Sequence, residues 1–141
     1  MPFVKTCPLC YPENETILWQ DARCRVILVD DPDYPGFCRV VWRAHVKEMT
    51  DLTESDRMHC IAIVFAVERV LRDSLHPDKI NLASLGNQVP HLHWHVIPRF
   101  TGDAHFPDPV WAARRRDSGR TGMEQAALKE RLRQGLREVL T

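Results

Sequence analysis

Hydrophobic positions recur along this chain with two different periods, and the changes of period mark out its elements. Thr16-Ile17-Leu18-Trp19-Gln20 and Arg25-Val26-Ile27-Leu28-Val29-Asp30 are short apolar runs rich in β-branched residues. Joined by the polar turn Asp21-Ala22-Arg23, they read as two strands. In Asp30-Asp31-Pro32-Asp33-Tyr34-Pro35-Gly36, two prolines and a glycine exclude regular structure and predict a loop. Arg39-Val40-Val41-Trp42 makes a third strand and Lys79 to Leu85 a fourth. The turn Gly86-Asn87-Gln88-Val89-Pro90 then leads into a fifth, which runs to Arg99.

Between the third and fourth strands the period lengthens. Thr53 is a good N-cap, and Glu54 and Asp56 place acidic groups in the first turn, where the helix dipole favours them. Met58, Ile61, Ala62 and Phe65 form one apolar stripe; Ile63, Val67, Val70 and Leu71 form a second on a neighbouring face. Both read as packing surface. Pro77 disfavours helix in the residue before it, so the helix ends near Leu75-His76. A second amphipathic helix is predicted from Met123 to Leu140, with Ala127, Leu128, Leu132, Leu136 and Leu140 in register. These elements predict an α+β fold: an antiparallel sheet of about five strands, one long central helix and a C-terminal helix.

Composition narrows the class without naming a function. The 141 residues suffice for one core, with 44% apolar residues and a formal net charge of zero. No apolar run approaches the roughly 20 residues of a membrane span, and the first residues lack a signal-peptide core. Five cysteines, an odd number, do not make a disulfide framework, and a cytoplasmic location is expected. Charge is unevenly spread: residues 112–141 hold eight Lys and Arg against four Asp and Glu. We divide the chain into a main domain over 1–111 and a basic extension over 112–141. That extension is expected to be a solvated helix face and not a nucleic-acid site.

The chemistry gathers at Pro90-His91-Leu92-His93-Trp94-His95-Val96-Ile97-Pro98-Arg99. Strict alternation sends Leu92, Trp94 and Val96 to the core and His91, His93 and His95 to the other face, successive rings ~6–7 Å apart. Packing gives no reason for three imidazoles on one face. Near neutrality imidazole serves as nucleophile, acid or metal ligand, so the row supports either a nucleophilic site or a metal site. Arg99, close behind, suits an anion better than a cation.

His-Leu-His-Trp-His-Val-Ile-Pro resembles the signature of the histidine triad (HIT) family of nucleotide hydrolases and transferases. The likeness extends through Cys7-Pro8-Leu9-Cys10, Val26 to Asp30, Val40 to His45 and Asn81 to Asn87, covering roughly residues 7–100. It implies hydrolysis at the α-phosphate of an adenosine nucleotide, whether a dinucleoside polyphosphate, a phosphoramidate or an adenylate. His93 would be the nucleophile, His95 would contact a phosphate oxygen or the leaving group, and His91 would order the site. Asp30 would meet the ribose, while Asn81, Asn87 and Gln88 would line the nucleotide site. Cys7, Cys10, His45 and His91 stand where zinc-bearing members place their ligands, implying a closed structural zinc site and no organic cofactor. A homodimer is likewise implied, and the second apolar face of the long helix, around Val64 and Val67, must be buried against either a partner or the C-terminal helix. Two positions depart from the pattern: Gln88 stands where many members have a small hydroxyl residue, and Asn87 where a glutamine is usual. An amide does not readily transfer a proton, so the leaving group is left open. The rival readings are a metal-dependent hydrolase using the three histidines as ligands and a nucleotide-binding module with little turnover.

Overall fold

The computed structural model describes residues 3–118 and 124–140. Five strands form one antiparallel sheet: β1 (Thr16–Gln20), β2 (Cys24–Leu28), β3 (Cys38–Trp42), β4 (Lys79–Ala83) and β5 (His93–Arg99), in the order β1-β2-β3-β5-β4. Two helices complete it, α1 (Glu54–Leu75) and α2 (Gln125–Leu140). This is the α+β architecture expected from the alternation of periods. The expected start of the second helix at Met123 lies outside the described residues.

Local chemistry sets the boundaries. The Asp21 carboxylate accepts from the backbone N–H groups of Arg23 and Cys24, at 2.8 and 2.9 Å, which closes the turn between β1 and β2. Thr53 caps α1 by accepting from the Asp56 N–H at 3.1 Å. His76 ends the helix in the left-handed region, one residue before Pro77. Gly36 has φ +89°, and a Cβ there would come within 2.6 Å of Leu75, so the chain entering β3 needs glycine twice over.

Alternation divides the sheet into two faces. Val26 and Leu28, Cys38 and Val40, and Val96 point to the helical side and build the main core with α1 and α2. Cys24 and Cys38 are buried packing residues there, as expected. The buried arc of α1 comprises Cys60, Ile63, Val64, Ala66, Val67, Val70 and Leu71. Of the two burials open to Val64 and Val67, the one within the chain is found, because α1 packs against both the sheet and α2. One expectation is corrected. Met58 and Phe65, assigned to packing, are 64% and 54% exposed. Gly135 lets the helices approach closely, since a Cβ there would lie 2.7 Å from Val70.

The other face is covered only at its two ends. The leader packs Cys7 and Leu9 on Ile27 and Val41, and Arg25 ties it down through Glu15 and the Leu9 carbonyl. At the far end Tyr34 and Phe37 pack on Ile97. Between these covers the middle of β3 and β5 is left open as the floor of a cleft. Several cations of the basic C-terminal region are engaged within the chain. Arg114 pairs with Asp33, Arg115 with Asp108, and Arg133 donates to the Ile17 carbonyl. Among the described residues no helix is long and apolar enough to cross a membrane.

Candidate active site

The open floor is an 830 Å³ cleft into which His93, His95 and Arg39 project, walled by the leader and by the turn before β5. The pairing of β3 with β5 sets Arg39 directly opposite His95, so both side chains emerge on this face.

His93 Nδ1 lies 2.6 Å from the carbonyl oxygen of His91. A carbonyl only accepts, so the proton sits on Nδ1 and the lone pair of Nε2 is free. Burial lowers the His93 pKa and the Arg39 charge adds to that, against the pull of the His91 carbonyl. The ring is therefore neutral near pH 7.

The partner of His95 works the other way. Arg39 Nε lies 3.4 Å from His95 Nδ1, and a guanidinium only donates. Nδ1 must then be the acceptor, and the proton of His95 sits on Nε2. Burial first, then the charges of His93 and Arg39, push its pKa down to about 4. Phe37 and Trp111 pack edge-on against the ring, at 5.7 and 4.9 Å between centroids, and fix its plane.

His91 leaves the row. It precedes β5, and its ring is fully buried, with Nε2 hydrogen-bonded to the Trp42 carbonyl. Its Nδ1 lies 3.4 Å from Cys7 Sγ, 3.4 Å from Cys10 Sγ and 3.2 Å from His45 Nδ1. Cys10 Sγ is 3.3 Å from His45 Nδ1. These four groups converge on one point and could hold a metal ion. Main-chain bonds from Trp42 N–H to the Leu92 carbonyl and from Leu92 N–H to the Val46 carbonyl bring His45 beside His91.

The other predicted site residues divide. Asp30, Asn87 and Gln88 are exposed and line the cleft. Asp31 accepts from the Asp33 N–H at 3.0 Å and serves the turn, which leaves Asp30 as the carboxylate facing the cleft. Asn81 does not line this cleft. Its Oδ1 accepts from Arg99 at 2.7 Å, on the part of the sheet that Tyr34 and Phe37 cover. Arg99 does meet an anion, and the anion is internal. It is 2% exposed and makes a two-point bond to Asp103, at 2.8 and 3.1 Å. Burial opposes ionisation of Asp103. Arg99 and the N–H groups of Phe100, His105 and Phe106 outweigh it and hold the carboxyl well below the usual range.

Arg39 and Trp111 were not anticipated as site residues. Their signals are weak in a linear reading: a lone arginine at the start of a strand, and a tryptophan in a loop.

A model of the HIT domain matches residues 12–102. The chain is 33% identical over 81 residues to the AP-4-A phosphorylase of Mycobacterium tuberculosis, over 53% of its own length and 42% of that protein's. It thus spans less than half of that relative. The asymmetrical bis(5'-nucleosyl)-tetraphosphatase of Schizosaccharomyces pombe is 28% identical over 141 residues, 92% of this chain and 78% of that protein. A solved histidine triad protein from Marinobacter aquaeolei VT8 superposes with a TM-score of 0.75 at 28% identity, covering 89% of this chain and 91% of that one.

The geometry of His95 generates a pH prediction. In a nitrogen-15 titration its ring should stay neutral to about pH 4, protonated on Nε2. That folded value lies below the ordinary 6.5, so the unfolded chain binds the proton more tightly. The contribution of His95 to stability is full above pH 6.5 and lost as the pH falls through about 4. Urea midpoints should decline across that window; a ring titrating near 6.5 would overturn the assignment.

Proposed function

The chain belongs to the HIT domain family, and we propose that it hydrolyses adenosine nucleotides at the α-phosphate through a nucleotidyl-histidine intermediate. One observation carries this reading: His93 is buried and neutral, its Nδ1 proton is taken by the His91 carbonyl, and its Nε2 lone pair is free. That is the state a nucleophilic imidazole requires. The names of the relatives, which act on dinucleoside tetraphosphates or AP-4-A, support the substrate class.

In the first step His93 Nε2 attacks the α-phosphorus. A phosphorus–nitrogen bond forms as the bond to the leaving group breaks, and the electron pair departs with that group. In the second step water adds to phosphorus and releases a proton to solvent. The phosphorus–nitrogen bond breaks and its electrons return to Nε2. The sequence divides one difficult displacement into two easier ones. His95 Nε2–H donates to a phosphate oxygen in both steps, and Asn87 and Gln88 supply further amide donors from the turn. Asp30 is suited to accept hydrogen bonds from ribose hydroxyls. A catalytic metal held by all three histidines is disfavoured, because the ring of His91 turns into a different cluster.

We further propose that Cys7, Cys10, His45 and His91 bind one structural zinc ion. Bonds of about 2.0–2.1 Å to nitrogen and 2.3 Å to sulfur set tetrahedral edges of roughly 3.3–3.8 Å. The nitrogen–nitrogen and sulfur–nitrogen separations of 3.2–3.4 Å lie at or just below the short end of that range. The His91 Nε2–H bond to the Trp42 carbonyl is the outer-shell contact such a ligand needs. Four protein ligands leave no open position, so the ion would brace the leader and take no part in the reaction. A reducing cytoplasm, where these thiols stay free, is the compartment we propose. We also propose a homodimer, now seated on the exposed Met58 and Phe65 of α1.

Three measurements test these proposals. Mixing with an adenylylated substrate should add the mass of one adenylyl group to the chain. His93→Ala should lose both the adduct and at least about 1000-fold in turnover while keeping AMP binding. Activity within about tenfold of wild type would sink the nucleophile. Purified protein should carry about one zinc per chain, and Cys7→Ser with Cys10→Ser should lose the metal and melt several degrees lower. Melting indifferent to added zinc in metal-free protein would refute the site. In light scattering the wild type should run as a dimer, and Phe65→Asp as a folded monomer. A wild-type mass of one 16.4 kDa chain would exclude the dimer.

A further inference from the structure

Arg39 is a charged residue of the cleft floor that the proposed mechanism has not used. It is partly buried, and burial disfavours its charge. Among the described residues it has no salt-bridge partner; the nearest favourable charge, Glu15, is gripped at two points by Arg25. Its contacts are the lone pair of His95 Nδ1 at 3.4 Å and the Phe37 ring at 5.7 Å. A half-buried cation at the cleft, with no salt-bridge partner among the described residues, is a site that an anion in the cleft would complete.

The leaving group supplies that anion. A phosphoramidate must expel an amine, which has to be protonated as it departs. Of the groups the mechanism places at the phosphate, none gives that proton readily: Asn87 and Gln88 are amides, and His95 holds its single Nε2 proton on a neutral ring that would become an imidazolate. A polyphosphate departs as an anion and needs charge stabilisation, not a proton.

We propose that Arg39 makes this site selective for substrates whose leaving group is a polyphosphate. Its guanidinium binds the β-phosphate while its Nε–H keeps His95 in the tautomer that donates to the departing oxygen. This inference rests on the hydrolase reading above and specifies its substrate. In the step itself, His93 Nε2 bonds to the α-phosphorus and the bond to the bridging oxygen breaks. That oxygen leaves with the electron pair, between Arg39 and His95 Nε2–H. No proton is transferred.

The test compares diadenosine tetraphosphate with adenosine 5'-phosphoramidate on wild type, Arg39→Gln, Arg39→Leu and Arg39→Lys. Wild type should favour the tetraphosphate. Arg39→Gln keeps an N–H for His95 but loses the charge. It should lower kcat/KM for the tetraphosphate about 30-fold, largely in kcat, and for the phosphoramidate less than about threefold. Arg39→Leu, which loses both, should impair both substrates, and Arg39→Lys should recover part of the tetraphosphate activity. Equal losses on the two substrates with Arg39→Gln, or none, would overturn the proposal. Binding of ADP and AMP, measured by calorimetry, tests the same contact without turnover. Wild type should prefer ADP, and Arg39→Gln should lose about tenfold of that preference. An unchanged preference overturns the role of Arg39. Failure of wild type to turn over either substrate overturns the hydrolase reading, and with it this role in catalysis, whatever the binding shows.

Discussion

A neutral imidazole has one nitrogen that donates and one that accepts, and its neighbours decide which is which. Three histidines at alternate positions of one segment are here held by three different partners. The Trp42 carbonyl takes the Nε2 proton of His91, leaving Nδ1 for the thiols. The His91 carbonyl accepts from Nδ1–H of His93, leaving the Nε2 lone pair free. The Arg39 guanidinium donates to Nδ1 of His95, leaving Nε2–H as a donor. Identical side chains thus present three different hydrogen-bonding faces with no difference in their own chemistry.

The sheet is covered unequally. On its helical side, α1 and α2 seal an apolar core against all of the central strands. On the other side the two ends are locked by polar devices, Arg25 with Glu15 at the leader and Arg99 with Asp103 beyond Ile97. The Arg99 pair is buried, and breaking it by removing one member would strand the other charge in the interior, typically at a cost of about 3–5 kcal/mol. Such a pair specifies geometry more than it adds stability. It fixes the chain after β5, and the same loop goes on to present Trp111 to His95.

Much of this was legible in the sequence because it is local. The period of two across Leu92 to Val96 gave the face of His93 and His95, though not the turning of His91 away from them, and Thr53 and Pro77 bounded α1. The convergence of Cys7, Cys10, His45 and His91 was reached through family likeness, since spacing alone cannot bring Cys7 to His91. What escaped depends on contacts between distant segments. Arg39 acquires its meaning only when β3 pairs with β5 and sets it opposite His95. Asn81 reads as a nucleotide contact until the fold gives its oxygen to Arg99. For α1, periodicity found two apolar stripes but could not say which one α2 and the sheet would bury, and the exposed Met58 and Phe65 went to the wrong side.

Trp111 gives the chain an optical property that follows from its place at the cleft. Four tryptophans occur in the sequence. Trp42 is sealed in the core, Trp19 and Trp94 are partly covered against it, and Trp111 is 51% exposed with its ring against His95. Three indoles therefore sit in surroundings that a molecule entering the cleft does not alter, while the fourth trades water for whatever comes to lie beside it. Neutral imidazole and its protonated form also differ as neighbours of an excited indole. The emission of the native chain is thus a steady background with one variable component. That component is sensitive to both the occupancy of the cleft and the charge of the ring that donates there.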